Sequence, residues 1–486
     1  MVKYMSIWNK KTKKRNITKL DKDIDTDILI IGAGLTGLNT AYFLKDKNIT
    51  IVDANVIGHG VTLNSTAKIN YFQERIYTKI KDSVGIYKAK LYLISQKYGM
   101  NLLKEIIEKE RIKCDLEKVP SYVFASTKKE INNLEKEVTF LKDNDISVEE
   151  SKLPLKIPSY KSYKVLDTYI FNPIKYLESM YNILIKRNIN IYEKSKVTRI
   201  EKEKDYYICK CNNHKIKANK IVFACHYPYF IYPFFLPLKA YIEKSYIIVS
   251  KVKEYKKFTC ISSSYPTYSC RFYKDGEDIY QISLGESHDT NYKQKDIYHF
   301  NKVKEIFKIK EKDIIESYSN VDLITPDHMP YIGKINDNMY IGTGYNTWGM
   351  TNSVLGAKII SDIILEKENK FTSIFNPNRI NLKIILMSLI IAYGELKSFL
   401  GTKINKNKKW YNQNIKIYKK NGKTIACYID ESGKEHKIYN KCPHLGCSLI
   451  FNEEEKTWDC PCHSSRFNID GECIKGPSNY DIKYKE

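Results

Sequence analysis

The sequence DILIIGAGLTG, residues 27–37, decides the fold of most of this chain. A short apolar run of strand type leads into a glycine-rich turn, and a helical stretch then continues to Leu44. A second apolar run, ITIV at residues 49–52, ends in Asp53. Because a strand, a turn, a helix, a second strand and an acidic residue occur in this order, the segment predicts a dinucleotide-binding βαβ unit.

Each residue type in this unit has a physical role in holding a dinucleotide. Gly32 permits a tight turn, Gly34 lets a pyrophosphate approach the backbone, and Gly37 allows the helix to pack closely against the strand. The helix N-terminus presents amides to phosphate. Asp53 is placed to accept hydrogen bonds from ribose hydroxyls.

A second pattern lies near the C-terminus, where two short segments each combine cysteine with histidine. Cys442 and His444 are separated by one residue, and Cys460 and His463 are separated by two. Each segment can therefore offer one sulfur and one nitrogen, as the two irons of a Rieske [2Fe–2S] cluster require. Two cysteines and two histidines also suit tetrahedral zinc, although zinc fingers usually space their histidines by about three to five residues. The pattern favours the iron–sulfur cluster and leaves zinc as the alternative.

From Trp410 to the C-terminus the sequence resembles the Rieske family. The resemblance implies the cluster ligands Cys442, His444, Cys460 and His463, and a loop-bridging disulfide between Cys447 and Cys462. It also implies that Ser465 hydrogen-bonds a bridging sulfide. Ser464 replaces a usual glycine, and Phe467 stands where the respiratory members usually carry a tyrosine hydroxyl. Because hydrogen bonds to sulfur raise the potential, we expect a value below the top of the ~−150 to +300 mV Rieske range.

Three further segments resemble the D-amino-acid oxidase/glycine oxidase superfamily of FAD enzymes: GHGVTLNSTAK at 58–68, TPDHMPYIG at 325–333 and MYIGTGYNTWGMT at 339–351. In that superfamily the first loop lies along the flavin, and the last segment begins a helix that faces the isoalloxazine ring. The resemblance therefore implies FAD as the cofactor. The FAD contacts that it implies are Gly32, Gly34, Leu35, Thr36, Gly37, Asp53, Ala54, Ser65, Thr66, Ala67, Val197, Gly344, Trp348, Gly349, Met350 and Thr351.

The combination resembles a narrower group, the bacterial FAD-dependent oxidoreductases of this superfamily that carry a fused C-terminal Rieske [2Fe–2S] domain. The predicted fold class is α/β, with a Rossmann-like FAD-binding domain, an inserted antiparallel-sheet substrate domain and a small all-β Rieske domain. The predicted divisions are an N-terminal tail at 1–22, an FAD-binding oxidoreductase domain at 23–375 with substrate segments at about 85–165 and 230–320, a helix and linker at 376–409, and the Rieske domain at 410–486.

The amino-acid composition limits the class of protein and its expected location. The 486 residues are 43% hydrophobic, enough to bury more than one core. The net charge of +24 comes mainly from scattered lysines, which we interpret as solvated charge. No apolar stretch of ~20 residues and no secretory signal are present, so we expect a cytoplasmic protein without a transmembrane segment. A predicted helix at 382–400 either packs between domains or touches a membrane surface.

The candidate catalytic residues are Arg271 and Tyr345, with Tyr241 and His226 as further pocket candidates. Oxidases of this superfamily commonly hold the substrate carboxylate with an arginine shortly before the TPD segment. Asp322 occupies that place here, and an aspartate cannot hold a carboxylate. A cationic amine is therefore favoured over a simple α-amino acid.

These features predict an FAD- and Rieske-dependent oxidoreductase that moves electrons between a small substrate, such as an amine, and an external donor or acceptor through the cluster. The expected partners are a small-molecule substrate and a redox protein or quinone, with no DNA, and RNA is not favoured. Two alternatives remain open: an FAD enzyme that acts on tRNA, because the chain is basic, and a non-catalytic redox sensor or electron-transfer protein.

Overall fold

The structure is a computed structural model that describes residues 6–8, 16–228, 236–289, 295–404, 414–478 and 480–485. The strands are β1 (Ile24–Ile31), β2 (Ile49–Val52), β3 (Lys68–Ile69), β4 (Glu117–Ala125), β5 (Glu149–Glu150), β6 (Lys161–Ile170), β7 (Asn190–Tyr192), β8 (Val197–Lys202), β9 (Tyr207–Cys211), β10 (His214–Phe223), β11 (Tyr241–Lys251), β12 (Thr259–Ser262), β13 (Ser269–Asp275), β14 (Asp278–Asp289), β15 (Ile314–Ile324), β16 (Tyr331–Asn336), β17 (Met339–Thr343), β18 (Ile415–Lys420), β19 (Lys423–Ile429), β20 (Glu435–Tyr439), β21 (Ile450–Asn452), β22 (Thr457–Asp459), β23 (Arg466–Asn468) and β24 (Cys473–Lys475).

The α-helices are α1 (Leu35–Phe43), α2 (Ile76–Val84), α3 (Ile86–Lys109), α4 (Ile131–Lys142), α5 (Pro173–Lys186), α6 (Leu236–Lys239), α7 (Asp296–Phe307), α8 (Gly349–Ile364), α9 (Thr372–Phe375) and α10 (Leu382–Ile404). Short 3₁₀ turns lie at Lys128–Glu130 and Glu311–Asp313.

A largely parallel sheet carries the dinucleotide motif. Its strand order is β16-β17-β10-β1-β2-β7, with β9 and β8 added beside β10. Leu29 and Ile30 in β1 are fully buried, as expected for a parallel strand that is covered on both faces. The parallel register sets Ile31 beside Val52 and Phe223, so the carboxyl ends of β1, β2 and β10 meet at one edge. Helices α1 and α8 pack together on this sheet.

A second, mainly antiparallel sheet forms the predicted substrate domain. Its strand order is β15-β11-β14-β13-β12-β4-β6-β3, with β5 beside β6. The neighbouring strands β11, β14 and β13 lie within the predicted substrate segment at about 230–320. In the pairing of β11 with β15, Glu243 lies directly opposite Asp322. The predicted fold class, a mixed α/β oxidoreductase with this inserted sheet, is confirmed.

The C-terminal region forms two small antiparallel sheets, β18-β19-β20 and β21-β22-β23-β24. They enclose a core of their own, in which Trp458 and Phe467 are fully buried. The two Cys–His segments are the loops between β20 and β21 and between β22 and β23. The sheets therefore bring together two loops that are 18 residues apart in their first cysteines, Cys442 and Cys460.

The segments before and after the FAD-binding domain differ in part from the predicted tail and linker. Trp8 belongs to the predicted tail, yet its side chain is fully buried and its Nε1 donates to the Ser65 carbonyl at 2.9 Å. Residues 1–5 and 9–15 of that tail lie outside the described residues, as does the end of the predicted linker, 405–409. Helix α10 agrees with the predicted helix and exposes apolar side chains such as Leu389. Among the described residues, every helix is too short or too polar to cross a bilayer.

Candidate functional site

A single cavity of about 670 Å³ lies between the two large sheets and extends to the C-terminal region. It starts at the glycine turn after β1, passes under β11 and β15, and ends against the segment from Cys473 to Ser478. This volume falls within the ~300–1,000 Å³ typical of small-molecule and cofactor sites. The same cavity is therefore bounded by three parts of the molecule. They are the dinucleotide motif, the second large sheet (called the substrate sheet) and the C-terminal region from β18 to β24 (called the cluster region).

The glycine turn is shaped by close backbone approaches. Gly32 has φ +115°, and a Cβ there would lie 2.6 Å from the Ala224 carbonyl oxygen. A Cβ at Gly37 would lie 1.9 Å from the Gly32 oxygen, so only glycine lets α1 pack on β1. At the end of β2 the Asp53 carboxylate accepts from the Ala33 amide at 2.7 Å. Burial raises the pKa of Asp53, and the Ala33 and Asn55 amides oppose that shift.

Most of the predicted FAD contacts form the wall of this cavity. The predicted residues that line it are Gly32, Gly34, Leu35, Thr36, Asp53, Ala54, Ser65, Thr66, Ala67, Val197, Gly344, Trp348, Gly349 and Met350. Gly37 and Thr351 stand behind the wall, where Gly37 packs α1 against β1 and Thr351 is fully buried. A helix N-terminus, an acidic side chain at the second strand and a second helix N-terminus at Gly349 all border one space, which fits a flavin dinucleotide.

The substrate sheet presents carboxylates to the cavity. Glu243 and Asp322 are cross-strand neighbours, and both line it. Burial raises the pKa of Asp322 to about 6, although Lys475 opposes that shift. Burial, with the nearby charges of Glu74 and Asp322, raises the pKa of Glu243 to about 7. This part of the wall therefore carries acidic groups whose charge changes near neutral pH.

Three lysines also border the cavity: Lys68, Lys196 and Lys475. Lys475 extends from β24 of the C-terminal region, and its Nζ donates to Asn320 Oδ1 at 3.2 Å. Burial lowers its pKa to about 8, and the charge of Arg466 acts in the same direction. Lys68 is buried, and its Nζ donates to Ser269 Oγ. Burial likewise lowers the pKa of Lys68 to about 8.

The two candidate catalytic residues have different surroundings from those expected. Arg271 lies outside the cavity wall and is almost fully buried, with Nη1 donating to the carbonyls of Thr66, Ala67 and Phe171. The expectation of direct substrate contact is therefore corrected: the guanidinium holds the flavin-side loop in place. The Tyr345 ring lines the cavity, but its hydroxyl is hydrogen-bonded to Thr36 Oγ1 at 2.9 Å.

Of the further candidates, His226 borders the cavity and Tyr241 does not. Burial lowers the pKa of His226 to about 3, with a smaller contribution from Lys475, so its imidazole is neutral. The His226 carbonyl accepts from Thr343 Oγ1 at 2.5 Å, which fixes the segment that follows β10. His226 is thus a neutral polar group on the flavin side of the cavity.

The two Cys–His loops are joined by a disulfide between Cys447 and Cys462. Beside it, the Cys442 and Cys460 thiols are hydrogen-bonded to each other, which lowers the pKa of Cys442 below its ordinary value. The Ser465 hydroxyl also contacts Cys442. Ser464 adopts φ +55°, a left-handed conformation that glycine enters more easily.

The donor set fits an iron–sulfur cluster. Burial lowers the pKa of His444 to about 3, so its imidazole is the neutral, metal-binding form. The rings of His444 and His463 lie 4.8 Å apart between centroids, and His463 is 5% exposed. Cys460 Sγ also lies within 4.8 Å of both disulfide sulfurs, but sulfurs already bonded to each other cannot act as thiolate ligands. Two thiols and two imidazoles thus remain for the metal, as in a Rieske centre.

Buried polar contacts hold the cluster region against the substrate sheet. The Ser319 amide in β15 donates to Glu455 Oε1 at 2.9 Å, and Arg466 Nη2 donates to Ser319 Oγ at 3.2 Å. Asn452 Nδ2 donates to Asp296 Oδ2 at 2.9 Å. The Tyr227 ring also contacts the rings of both cluster-loop histidines. The two regions therefore meet through specific side chains.

The chain belongs to the DAO family of FAD dependent oxidoreductases, whose family model matches residues 27–363. Residues 402–484 match the Rieske [2Fe-2S] domain. FAD and a [2Fe–2S] cluster are therefore the cofactors of this protein, an oxidoreductase, and the predicted family combination is confirmed.

Individual relatives agree with both assignments. A Bacillus subtilis (strain 168) protein described as "Putative Rieske 2Fe-2S iron-sulfur protein YhfW" is 28% identical over 98% of this chain and 96% of its own length. The cytochrome b6-f complex iron-sulfur subunit 2 of Trichormus variabilis is 41% identical over 46 residues, which are 10% of this chain and 26% of that subunit. Glycine oxidase from Geobacillus kaustophilus shares the fold, with a TM-score of 0.61 and 15% identity over 74% of this chain and 99% of its own.

Several residues of the site were missed by sequence reasoning: Lys68, Glu243, Lys475 and Tyr227. One signal was present, because Glu243 and Ser245 are two residues apart in β11 and so lie on the same face of that strand. Such a polar face in an inner strand indicates a cavity wall. Nothing in the sequence around Lys475 or Tyr227 indicates that these two side chains meet another domain.

Proposed function

We propose that this oxidoreductase moves electrons between a small cationic amine, bound beside the flavin, and an external redox protein or quinone through the Rieske cluster. One observation carries the proposal: a single cavity is lined by both the glycine turn and the cluster-region segment from Cys473 to Ser478. When bound, FAD exchanges two electrons with a substrate and the cluster passes electrons on singly.

The cavity wall supports a cationic substrate. Glu243 and Asp322 face the cavity side by side, where the superfamily commonly has a carboxylate-binding arginine before the TPD segment. The charge of Lys475 opposes the raised pKa of Asp322 and that of Lys79 opposes the raised pKa of Glu243, but burial outweighs both. A carboxylate in a partly dehydrated pocket binds an ammonium group with a charge-assisted hydrogen bond. The chain thereby orients a cation without supplying a strong base.

The proposal is tested by mixing the oxidised protein anaerobically with a panel of small molecules and following the flavin absorbance. Simple amines without a carboxylate are expected to bleach the flavin at lower concentrations than glycine, proline or 2-hydroxy acids. A preference for amino acids or hydroxy acids would contradict the cationic-amine assignment. If no compound bleaches the flavin although chemically reduced flavin still reduces the cluster, the alternative of a redox sensor is favoured.

A further inference from the structure

The segment that follows β10 lies between the two cofactor sites. Residues Ala224 to Pro228 line the cavity beside the glycine turn. Tyr227 in this segment is 9% exposed. Its ring centroid lies 6.2 Å from that of His444, at an interplanar angle of 87°, and 6.4 Å from that of His463, at 60°. One aromatic side chain thus borders the flavin cavity and contacts both cluster histidines.

We propose that Tyr227 is the positioning residue that closes the gap between the flavin cavity and the histidine edge of the cluster, so that electrons pass between the cofactors at this point. The inference rests on the proposed pairing of flavin and cluster, but not on the identity of the substrate. Its consequence is that the histidine edge serves the internal transfer, and an external partner approaches the cluster region from another side.

Burial at this contact supports the assignment. His463 is 5% exposed, and Tyr227 covers the histidine pair from the flavin side. Electron tunnelling weakens exponentially with the distance between donor and acceptor, and tightly packed atoms conduct better than an open gap. Edge-to-face aromatic contacts of this kind are favourable and well defined in geometry. A ring at position 227 therefore shortens the path and excludes water from it.

The relative position of the two regions is held by contacts that do not involve the cofactors. Asp296 accepts from Asn452 of the cluster region at 2.9 Å, and it also accepts from Lys244 Nζ and the Tyr246 hydroxyl at 2.7 Å each. Because the acceptor is already held by two partners within the substrate domain, Asn452 meets a fixed group. A second contact is made by Ser319 of β15, whose amide donates to Glu455 of the cluster region. The histidine edge is thereby kept against Tyr227.

The first electron transfer balances between the two bound cofactors alone. One electron leaves the reduced flavin and converts one ferric ion of the cluster to ferrous, and a flavin proton is released to solvent. An external one-electron acceptor must reoxidise the cluster before the second electron follows. Tyr227 is neither oxidised nor reduced overall, so the ring is required and the hydroxyl is not.

The test uses the full-length holoprotein, reduced at the flavin by a laser-flash photoreductant so that no amine is needed. The rate of cluster reduction is followed optically, and the cluster is checked by EPR. Tyr227→Phe is expected to keep the wild-type rate. Tyr227→Leu is expected to slow cluster reduction by at least about tenfold, a change of ~1.4 kcal/mol in barrier, while the EPR g values and the rate of flavin photoreduction stay unchanged.

Equal rates in the wild type, Tyr227→Phe and Tyr227→Leu would overturn the proposal, as would equal slowing in both variants, which would assign the effect to the hydroxyl. If Tyr227→Leu loses a cofactor, Asn452→Ala carries the test, because it leaves Tyr227 and all cluster ligands in place. Slower cluster reduction with intact EPR and flavin spectra in Asn452→Ala supports the role of fixed docking, and an unchanged rate overturns it. Failure of the amine panel together with photoreduced transfer that slows only in Tyr227→Leu would count against the proposed substrate and support the role of Tyr227.

Discussion

The two cofactor sites, at the glycine turn and at the cluster loops, are built differently from the cavity wall formed by Glu243, Asp322 and Lys475, which is called the substrate wall. The glycine turn and each of the two cluster loops are formed by a few consecutive residues. The substrate wall draws Glu243 from β11, Asp322 from β15 and Lys475 from another domain. Local segments keep their geometry when distant parts move, whereas a wall assembled from three places depends on strand register and domain docking. Substitutions should therefore have large, specific effects in the cofactor sites and graded effects in the substrate wall.

The largest effect is expected at the cluster loops. Cys460→Ser removes a thiolate that the cluster requires, so iron and the reduced-cluster EPR signal should be lost completely while the flavin spectrum remains. Cys473→Ser is the matched control, because Cys473 lies in β24 and its thiol contacts backbone carbonyls. Metal analysis and EPR measure both variants. Retention of stoichiometric iron in Cys460→Ser would contradict the ligand assignment, and loss of FAD as well would show that the two regions fold as one unit.

A second large effect is expected on stability, at the ion pair of Asp327 and Arg379 behind the flavin site. Asp327 is fully buried and accepts from Arg379 Nη2 and Nε at 2.8 Å each. Arg379→Ala leaves a buried charge without its partner and should lower the free energy of unfolding by ~3–5 kcal/mol in a urea titration at pH 7. Lys118→Ala breaks an ion pair whose members are both more than half exposed, and should change it by less than ~1 kcal/mol.

The same pair predicts how stability depends on pH. Burial raises the pKa of Asp327, but the hydrogen bond and charge of Arg379 outweigh it and hold the pKa below its usual range. The folded protein therefore binds fewer protons here than the unfolded chain at mildly acidic pH. The stabilisation is present above the unfolded pKa of ~3.9 and is lost as pH falls through the lower folded value. Equal acid sensitivity of the wild type and Arg379→Ala would contradict this.

A moderate effect is expected in the substrate wall at Glu243. Glu243→Gln removes the negative charge and should raise KM for a cationic amine about 10- to 100-fold with little change in kcat, because a hydrogen bond to a charged group contributes ~1.5–3 kcal/mol. Since the Glu243 pKa is raised to about 7, binding by the wild type should strengthen as pH rises through 7, and this dependence should vanish in the variant. Steady-state kinetics at several pH values check both points. Glu254→Gln, at an exposed glutamate, is the control.

The smallest effect is expected at Lys475, which reaches the wall from the cluster region. Lys475→Gln removes the positive charge that opposes the raised pKa of Asp322, so that carboxyl should ionise at higher pH. The acidic limb of kcat/KM should shift upward by less than about one pH unit, with a change of a few-fold at pH 7. Lys483→Gln changes an exposed lysine of the same region and should leave the profile in place. If the pH dependence of kcat/KM is unshifted in Lys475→Gln, this side chain of the cluster region does not influence substrate binding.

The same contrast explains which parts were accessible from sequence. The turn at Gly32, the strand β2 and the Cys–His loops were predicted because their chemistry depends on residues close together in the chain. Arg271 was placed at the substrate by its position in the superfamily, whereas Nη1 of its buried guanidinium donates to three backbone carbonyls. Its partners come from two other segments, and a linear pattern does not record them. The contact of Tyr227 with the cluster histidines likewise depends on how two domains dock.

Anaerobic reductive titration with simultaneous optical and EPR detection tests most directly whether two redox cofactors act in one chain. We expect the protein to take up about three electron equivalents per chain, two for FAD and one for the cluster. The flavin bands should bleach, and a reduced-cluster EPR signal of low average g should appear. Stoichiometric zinc without iron, or uptake of about two equivalents with no EPR signal, would contradict this expectation.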